Sequence, residues 1–196
     1  MAVLRKRDLV QRYNDAQSYL IHEEGEKNFA SKKLLEDAQA FDFEGSYDIF
    51  PSHSYQDARV VKQIRDELVE NGFSVYVDWL EDNQLDRGKV TKQSATVLRN
   101  RMNACSSLIY LTSVSAEKSV WMPWELGYMD SRTGRVAVAP IVEDSDDEFV
   151  GREYLGLYPY LDLTSAAFYV HDDTNSWVRL PKWLEGVNPA LYESGI

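Results

Sequence analysis

The sequence predicts an α/β fold of flavodoxin-like type: five mainly parallel strands with helices on both faces, preceded by a helical extension. Three observations predict it. From residue 47 onward, short strand-like segments alternate with segments of helical periodicity. Two of the strands, residues 107–111 and 135–142, are apolar nearly throughout, as strands of a parallel sheet covered on both faces are. Turn formers such as Asn71 and Gly72 separate the elements at the spacing such units need.

Residues 1–45 are rich in Lys, Glu, Gln and Ala and contain no proline. Leu9, Tyr13, Ala16 and Leu20 recur at helical spacing, as do Leu34, Ala38 and Phe41, with Gly25 between the two runs. This extension reads either as a helical layer packed outside the sheet or as an oligomerisation or partner-sensing element. Tyr47, Asp48, Ile49 and Phe50 form a first strand stopped by Pro51. Ala58, Val61, Ile64, Leu68 and Val69 share one side of a helix over residues 56–70, which Asn71 and Gly72 cap. Residues 73–77 are the second strand, 78–89 a polar loop, 90–104 a second helix and 107–111 the third strand. A third helix begins near Val120, and residues 135–142 are the fourth strand. After an acidic connection at residues 143–148, a fifth, edge strand falls between Tyr154 and Leu163. Residues 168–170 and 177–180 flank a turn and read as a hairpin, and Pro181 opens a last helix through Trp183 and Leu184. The organisation expected is an extension over 1–45, a main domain over 46–165 and a packed tail over 166–196. In open parallel sheets, ligands sit beyond the carboxyl ends of the strands. The candidate site is therefore built from residues 51–55, 78–89 and 112–125.

Composition narrows the function. The 196 residues are 44% hydrophobic and 27% charged, enough for a buried core, and the net charge is -11. An acidic surface repels phosphate backbones, which argues against nucleic-acid binding. A small phosphorylated ligand remains compatible through local basic residues. Cys105 is the sole cysteine, so no internal disulfide forms, in keeping with a cytoplasmic location. Arg5, Lys6 and Arg7 are followed by no apolar run, which argues against a secretory signal. The apolar stretch 136–142 is too short to span a bilayer, so no membrane partner is expected. His22, His53 and His171 are scattered, so no metal site has workable spacing. There is no Gly-x-Gly-x-x-Gly and no P-loop, so no resident dinucleotide cofactor is expected.

Tyr47-Asp48-Ile49-Phe50-Pro51-Ser52-His53-Ser54 resembles the opening strand of Toll/interleukin-1 receptor (TIR) domains, with Pro51 departing from the usual aliphatic residue. Later features follow in the family's order. Phe73-Ser74-Val75-Tyr76-Val77-Asp78 is similar to its second strand, and Leu85-Asp86-Arg87-Gly88 to its BB loop. Residues 107–113 resemble its third strand with a serine-containing exit. Trp121-Met122-Pro123-Trp124-Glu125-Leu126 resembles its Trp-x-x-x-Glu-Leu signature. The resemblance covers residues 45–165 and looks closest to small bacterial TIR proteins of anti-phage systems such as Thoeris.

That resemblance implies an enzyme that consumes NAD as a substrate and cleaves its nicotinamide–ribose bond. Glu125 would be the catalytic carboxylate. Nicotinamide leaves a pyridinium as a neutral molecule, so no acid need protonate it, and one carboxylate suffices to stabilise the oxocarbenium-like ribose. Otherwise Glu125 is a first-turn residue favoured by the helix dipole. Ser52, His53, Asp78, Trp79, Arg87, Ser113 and Trp121 are the substrate-binding candidates. Trp79 either stacks on a ring of NAD or packs in the core. Trp121 either walls the cleft or packs, and Arg87 either meets the pyrophosphate or edges a solvated loop. A Ser52–His53 hydrolytic dyad is disfavoured, because sequence neighbours seldom face each other. The family also implies self-association through residues 78–89 and a downstream effector reached by a small-molecule signal. A non-catalytic scaffold that signals by self-association is the competing reading. A response-regulator-like switch lacks its acidic cluster and lysine here.

Overall fold

Successive side chains along the central strands enter two different cores, and this alternation decides the layers. The computed structural model describes residues 4–17, 46–77, 91–142, 153–163, 167–172 and 175–191. The expected helix through Leu34, Ala38 and Phe41, the loop at 78–89 and the acidic connection at 143–148 lie outside the described residues.

The elements are β1 (Leu4–Arg5), α1 (Lys6–Gln17), β2 (Tyr47–Ser52), α2 (Ala58–Glu70), α3 (Lys92–Asn103), β3 (Cys105–Thr112), α4 (Met122–Thr133) and β4 (Val136–Val142). They continue with β5 (Tyr160–Leu163), β6 (Phe168–His171), β7 (Ser176–Arg179), α5 (Leu180–Leu184) and β8 (Ala190–Leu191). Short 3-10 turns occupy Tyr55–Asp57, Ala116–Lys118 and Glu153–Leu157. The sheet order is β2-β3-β4-β5-β6-β7-β8, with β1 paired to β4. Pairings from β2 to β5 are parallel, and those from β5 to β8 antiparallel.

Ile49, Ile109, Leu111, Ala137, Ala139 and Ile141 face one core with Leu9 of α1, the apolar side of α2, and Trp183 of α5. Phe50, Leu108, Tyr110, Val136 and Val138 face the other, with Leu98 and Met102 of α3 and Met122, Leu126 and Met129 of α4. The parallel α/β architecture with helices on both faces and an amino-terminal helix is thus the one expected. Gly72 ends α2 with φ of 88°, a left-handed conformation that glycine takes without steric cost.

Four local expectations are corrected. Strand β2 does not stop at Pro51 but runs on to Ser52. Ile49 turns both its N–H and its C=O toward residues 74–76, so Pro51, two residues on, lacks its N–H on that same side, past the end of that pairing. The second strand is reduced to one parallel bridge, Ile49 to Val75. The Asp48 carboxylate takes over part of the ladder by accepting from the Ser74 N–H and hydroxyl, both at 2.8 Å. The fifth strand is not an edge, because the expected 168–180 hairpin adds β6 and β7 beyond it. The extension is not wholly outside the sheet, since Leu4 and Arg5 pair with Ile141 and Val142.

The tail is held by Arg135 and Trp183. The Arg135 guanidinium sits 5.8 Å from the Trp183 ring centroid, donates to Asn188 Oδ1 at 2.7 Å and meets the Gly186 carbonyl. Trp183 is 2% exposed within the core that also holds α1 and α2. Trp183→Ala is therefore expected to cost about 3–5 kcal/mol. Urea denaturation should show one shifted transition, and a loss under about 1 kcal/mol would place the tail outside the main cooperative unit.

Candidate functional site

The order in which strands join the sheet reverses at β2. Residues 73–77 lie on one side of it and β3 on the other, the arrangement that in open parallel sheets places a ligand crevice at the carboxyl ends of the strands. Ser52 ends β2, followed by His53 and Ser54, and Ser113 follows β3 directly. Helix α4 then brings Glu125 to the same end of the sheet.

Pro123 stands at the start of α4, where its missing N–H costs nothing, so Glu125 falls in the first turn. There the helix dipole favours its charge. Glu125 is 4% exposed, and its Oε2 accepts from the Ser52 hydroxyl at 2.5 Å across 73 residues of sequence. A carboxylate taken out of water is costly unless hydrogen-bonded, and a short charge-assisted bond offsets part of that cost. Ser52 is itself 1% exposed, so the bond lies in a medium where electrostatic effects are stronger than in water.

A second serine–carboxylate pair sits on the neighbouring strand. The Ser113 hydroxyl donates to Asp57 Oδ2 at 2.5 Å and accepts from the Ala116 N–H at 3.1 Å. Lys6 Nζ stands 3.5 Å from Asp57 Oδ1. A hydroxyl has one proton, and in both serines that proton is committed to a carboxylate. What remains is acceptor capacity, which suits the O–H donors of a sugar better than the acceptor oxygens of a phosphate.

His53 is 4% exposed, and its Nδ1 donates to the Pro51 carbonyl at 2.6 Å. Ser52 gives its proton to Glu125 rather than to this ring, so the geometry does not form a serine–histidine dyad. Trp121 is 8% exposed and meets Trp124 edge to face at 5.6 Å, and Trp124 stacks on Tyr128 and lies under the Arg99 guanidinium. Trp121 therefore packs in the core that covers α4. Ser52, His53, Ser113 and Glu125 come together at the carboxyl ends of β2 and β3, whereas Asp78, Trp79 and Arg87 lie outside the described residues. Asp57 and Lys6 were not expected from sequence. Asp57 falls inside the helix expected over residues 56–70, and Lys6 in the charged run from Arg5 to Arg7, so neither carries a local signal of the site. Among the described residues no cluster of His, Cys, Asp and Glu could hold a metal, and no helix is long and apolar enough to cross a membrane.

Comparison with known proteins gives a family and two relatives. The TIR domain family matches residues 49–179. A Bacillus cereus (strain MSX-D12) protein with the provisional name 3' cyclic ADP-D-ribose synthase ThsB' is 44% identical over 167 residues, covering 81% of this chain and 86% of its own length. A Cytobacillus dafuensis protein provisionally named cyclic ADP-D-ribose synthase TIR2 is 32% identical over 83 residues, 42% of this chain and 22% of that protein.

Removing the donor to Glu125 leaves a buried carboxylate short of a partner. Ser52→Ala is expected to lower unfolding free energy by about 1.5–3 kcal/mol, while the same change in a Glu125→Ala background costs well under half of that. Equal losses in the two backgrounds, measured by urea denaturation, would show that the pair contributes no coupling.

Proposed function

Because the chain belongs to the TIR domain family, we propose that it is an NAD-consuming enzyme that breaks the nicotinamide–ribose bond and releases a cyclic ADP-ribose-type signal in anti-phage immunity. One observation carries the reading: a carboxylate, Glu125, is buried and held by Ser52 at the switch-point crevice. Its setting suits a reaction that develops positive charge. As the C1′–N bond lengthens, nicotinamide takes the bonding electrons and leaves neutral, and the ribose becomes cationic. A fixed carboxylate stabilises that cation with little reorganisation. The acceptor-biased serine hydroxyls suit the ribose O–H groups.

Product formation then depends on what reaches C1′. Attack by a hydroxyl of the same molecule, with loss of its proton, closes a ring. Water instead gives ADP-ribose and a proton. The names of both relatives support the first route. NAD is consumed as substrate, and no resident cofactor takes part. The remaining assignments follow the family resemblance. His53, Asp78, Ser113 and Trp121 border the ligand, Trp79 stacks on one of its rings, and Arg87 meets the pyrophosphate. Residues 78–89 of one copy cover the crevice of another, which excludes water and strengthens the effect of Glu125. The chain acts in the cytoplasm and reaches its effector through the released small molecule. Residues 46–165 are the catalytic domain, with 1–45 and 166–196 as extensions.

Purified protein incubated with NAD, with products identified by mass spectrometry, tests the chemistry. Glu125→Gln keeps the size of the side chain and removes its charge, and is expected to lower nicotinamide release by about 10²–10³ or more with the fold intact. Turnover unchanged in this variant would overturn the catalytic role. Mixing inactive Glu125→Gln chains with inactive Arg87→Glu chains tests the shared site. Partial recovery of activity is expected. No recovery, with activity per molecule constant on dilution, would mean that each chain works alone.

A further inference from the structure

Asp57 occupies the position preceding α2 where aspartate ordinarily accepts a hydrogen bond from its own helix, yet its side chain makes no such bond. Its carboxylate turns the other way. Oδ2 takes the Ser113 proton at 2.5 Å, and Oδ1 faces the Lys6 ammonium at 3.5 Å. The Asp57 side chain is 1% exposed, that of Lys6 27%. A residue that gives up the local interaction its type is best at, in exchange for one across the fold, marks a site where another requirement prevails.

Lys6 is the first residue of α1, directly after the two residues of β1. Those two pair with Ile141 and Val142 at the carboxyl end of β4, the end of the sheet where the crevice opens. Helix α1 then runs against α2, burying Leu9 among Val60, Val61, Ile64 and Leu68 and placing Arg12 Nη1 3.0 Å from Glu67 Oε1. The amino-terminal segment is thus fixed at three points, and its first helical residue delivers a positive charge to the carboxylate that holds Ser113.

We infer that Lys6 and Asp57 are positioning residues acting through Ser113, so that the amino-terminal segment is a working part of the site. The inference rests on the NAD-cleavage reading above. Asp57 claims the single Ser113 proton and so fixes which lone pair the hydroxyl presents to the crevice. Lys6 supplies the charge that makes this buried carboxylate tolerable, because a buried ion pair broken at one partner leaves its other member strongly disfavoured. Freeing the segment from β4 and α2 withdraws Lys6, loosens Asp57 and lets Ser113 rotate. Ser113 is bonded to Asp57 whereas Glu125 is bonded to Ser52, so the effect falls on holding the substrate rather than on the bond-breaking step.

The test is a cycle of four full-length proteins: wild type, Lys6→Met, Ser113→Ala and the double variant. Lys6→Met is expected to raise KM for NAD about 3–10-fold with kcat within about twofold, the scale of one lost hydrogen bond. Lys6→Arg, which keeps the charge, should restore KM, and Lys6→Met should add nothing further once Ser113 is alanine. A purely structural role would lower the melting temperature and the active fraction without moving KM. Independent, multiplying effects of Lys6→Met and Ser113→Ala on KM, in an otherwise active enzyme, overturn the inference and leave the NAD reading standing. A wild type that releases no nicotinamide at any concentration overturns the NAD reading instead. The same four proteins then decide the coupling by their unfolding midpoints, where non-additive shifts retain the Lys6–Asp57–Ser113 connection and additive shifts remove it.

Discussion

Strands β3 and β4 are buried on both faces along nearly their whole length, and a strand in that position must be covered twice. The pairing of α1, α2 and α5 on one face with α3 and α4 on the other follows from that requirement. Covering two faces from one chain forces it to leave β2 on one side and to enter β3 on the other. The crevice at the strand ends is a consequence of that reversal rather than a separate feature. Ser52 and Ser113 mark its two lips because the first ends β2 and the second follows β3 directly.

Both lips are built alike. Each serine gives its proton to a carboxylate that arrives from the start of a helix, Glu125 from α4 and Asp57 from the position before α2. The positive end of a helix and a donor hydroxyl together make a carboxylate acceptable where water is scarce. The two pairs differ in what stands behind them. Asp57 has Lys6 at its back, while Glu125 lies in the first turn of a helix packed by Met122, Leu126 and Met129. The first carboxylate is charge-balanced and suited to holding a neighbour in place.

The sheet also shows that strands are added to it in two different ways. The tail continues the sheet by antiparallel pairing from β5 through β8, beyond the carboxyl-end crevice. The amino-terminal segment does the opposite: β1 joins β4 at its carboxyl end, and Lys6 reaches the site. The amino-terminal strand and the strands after β5 are therefore unequal in consequence.

By itself the sequence determined the layers and the identity of the catalytic candidate. Periodicity reports which face of an element is buried, so Leu68, Ile109 and Val138 announced their surroundings. The order of short motifs around Tyr47, Ser107 and Trp121 to Glu125 placed the acidic residue at the start of a helix. Periodicity does not report which partner a polar side chain chooses. Trp121 fits a cleft wall as well as a core, and its edge-to-face packing on Trp124 is a contact that only the fold supplies. Pro51 reads as a strand terminator until the pairing shows that its missing N–H faces the side where the ladder has ended. Asp57 falls inside the helix expected over residues 56–70, and Lys6 in the charged run from Arg5 to Arg7. Their meeting with Ser113 spans 51 and 56 residues of chain on its two sides. Contacts of that range are made by the assembled fold, because a hydrogen bond's direction depends on where distant strands end, and no local pattern in the chain carries that information.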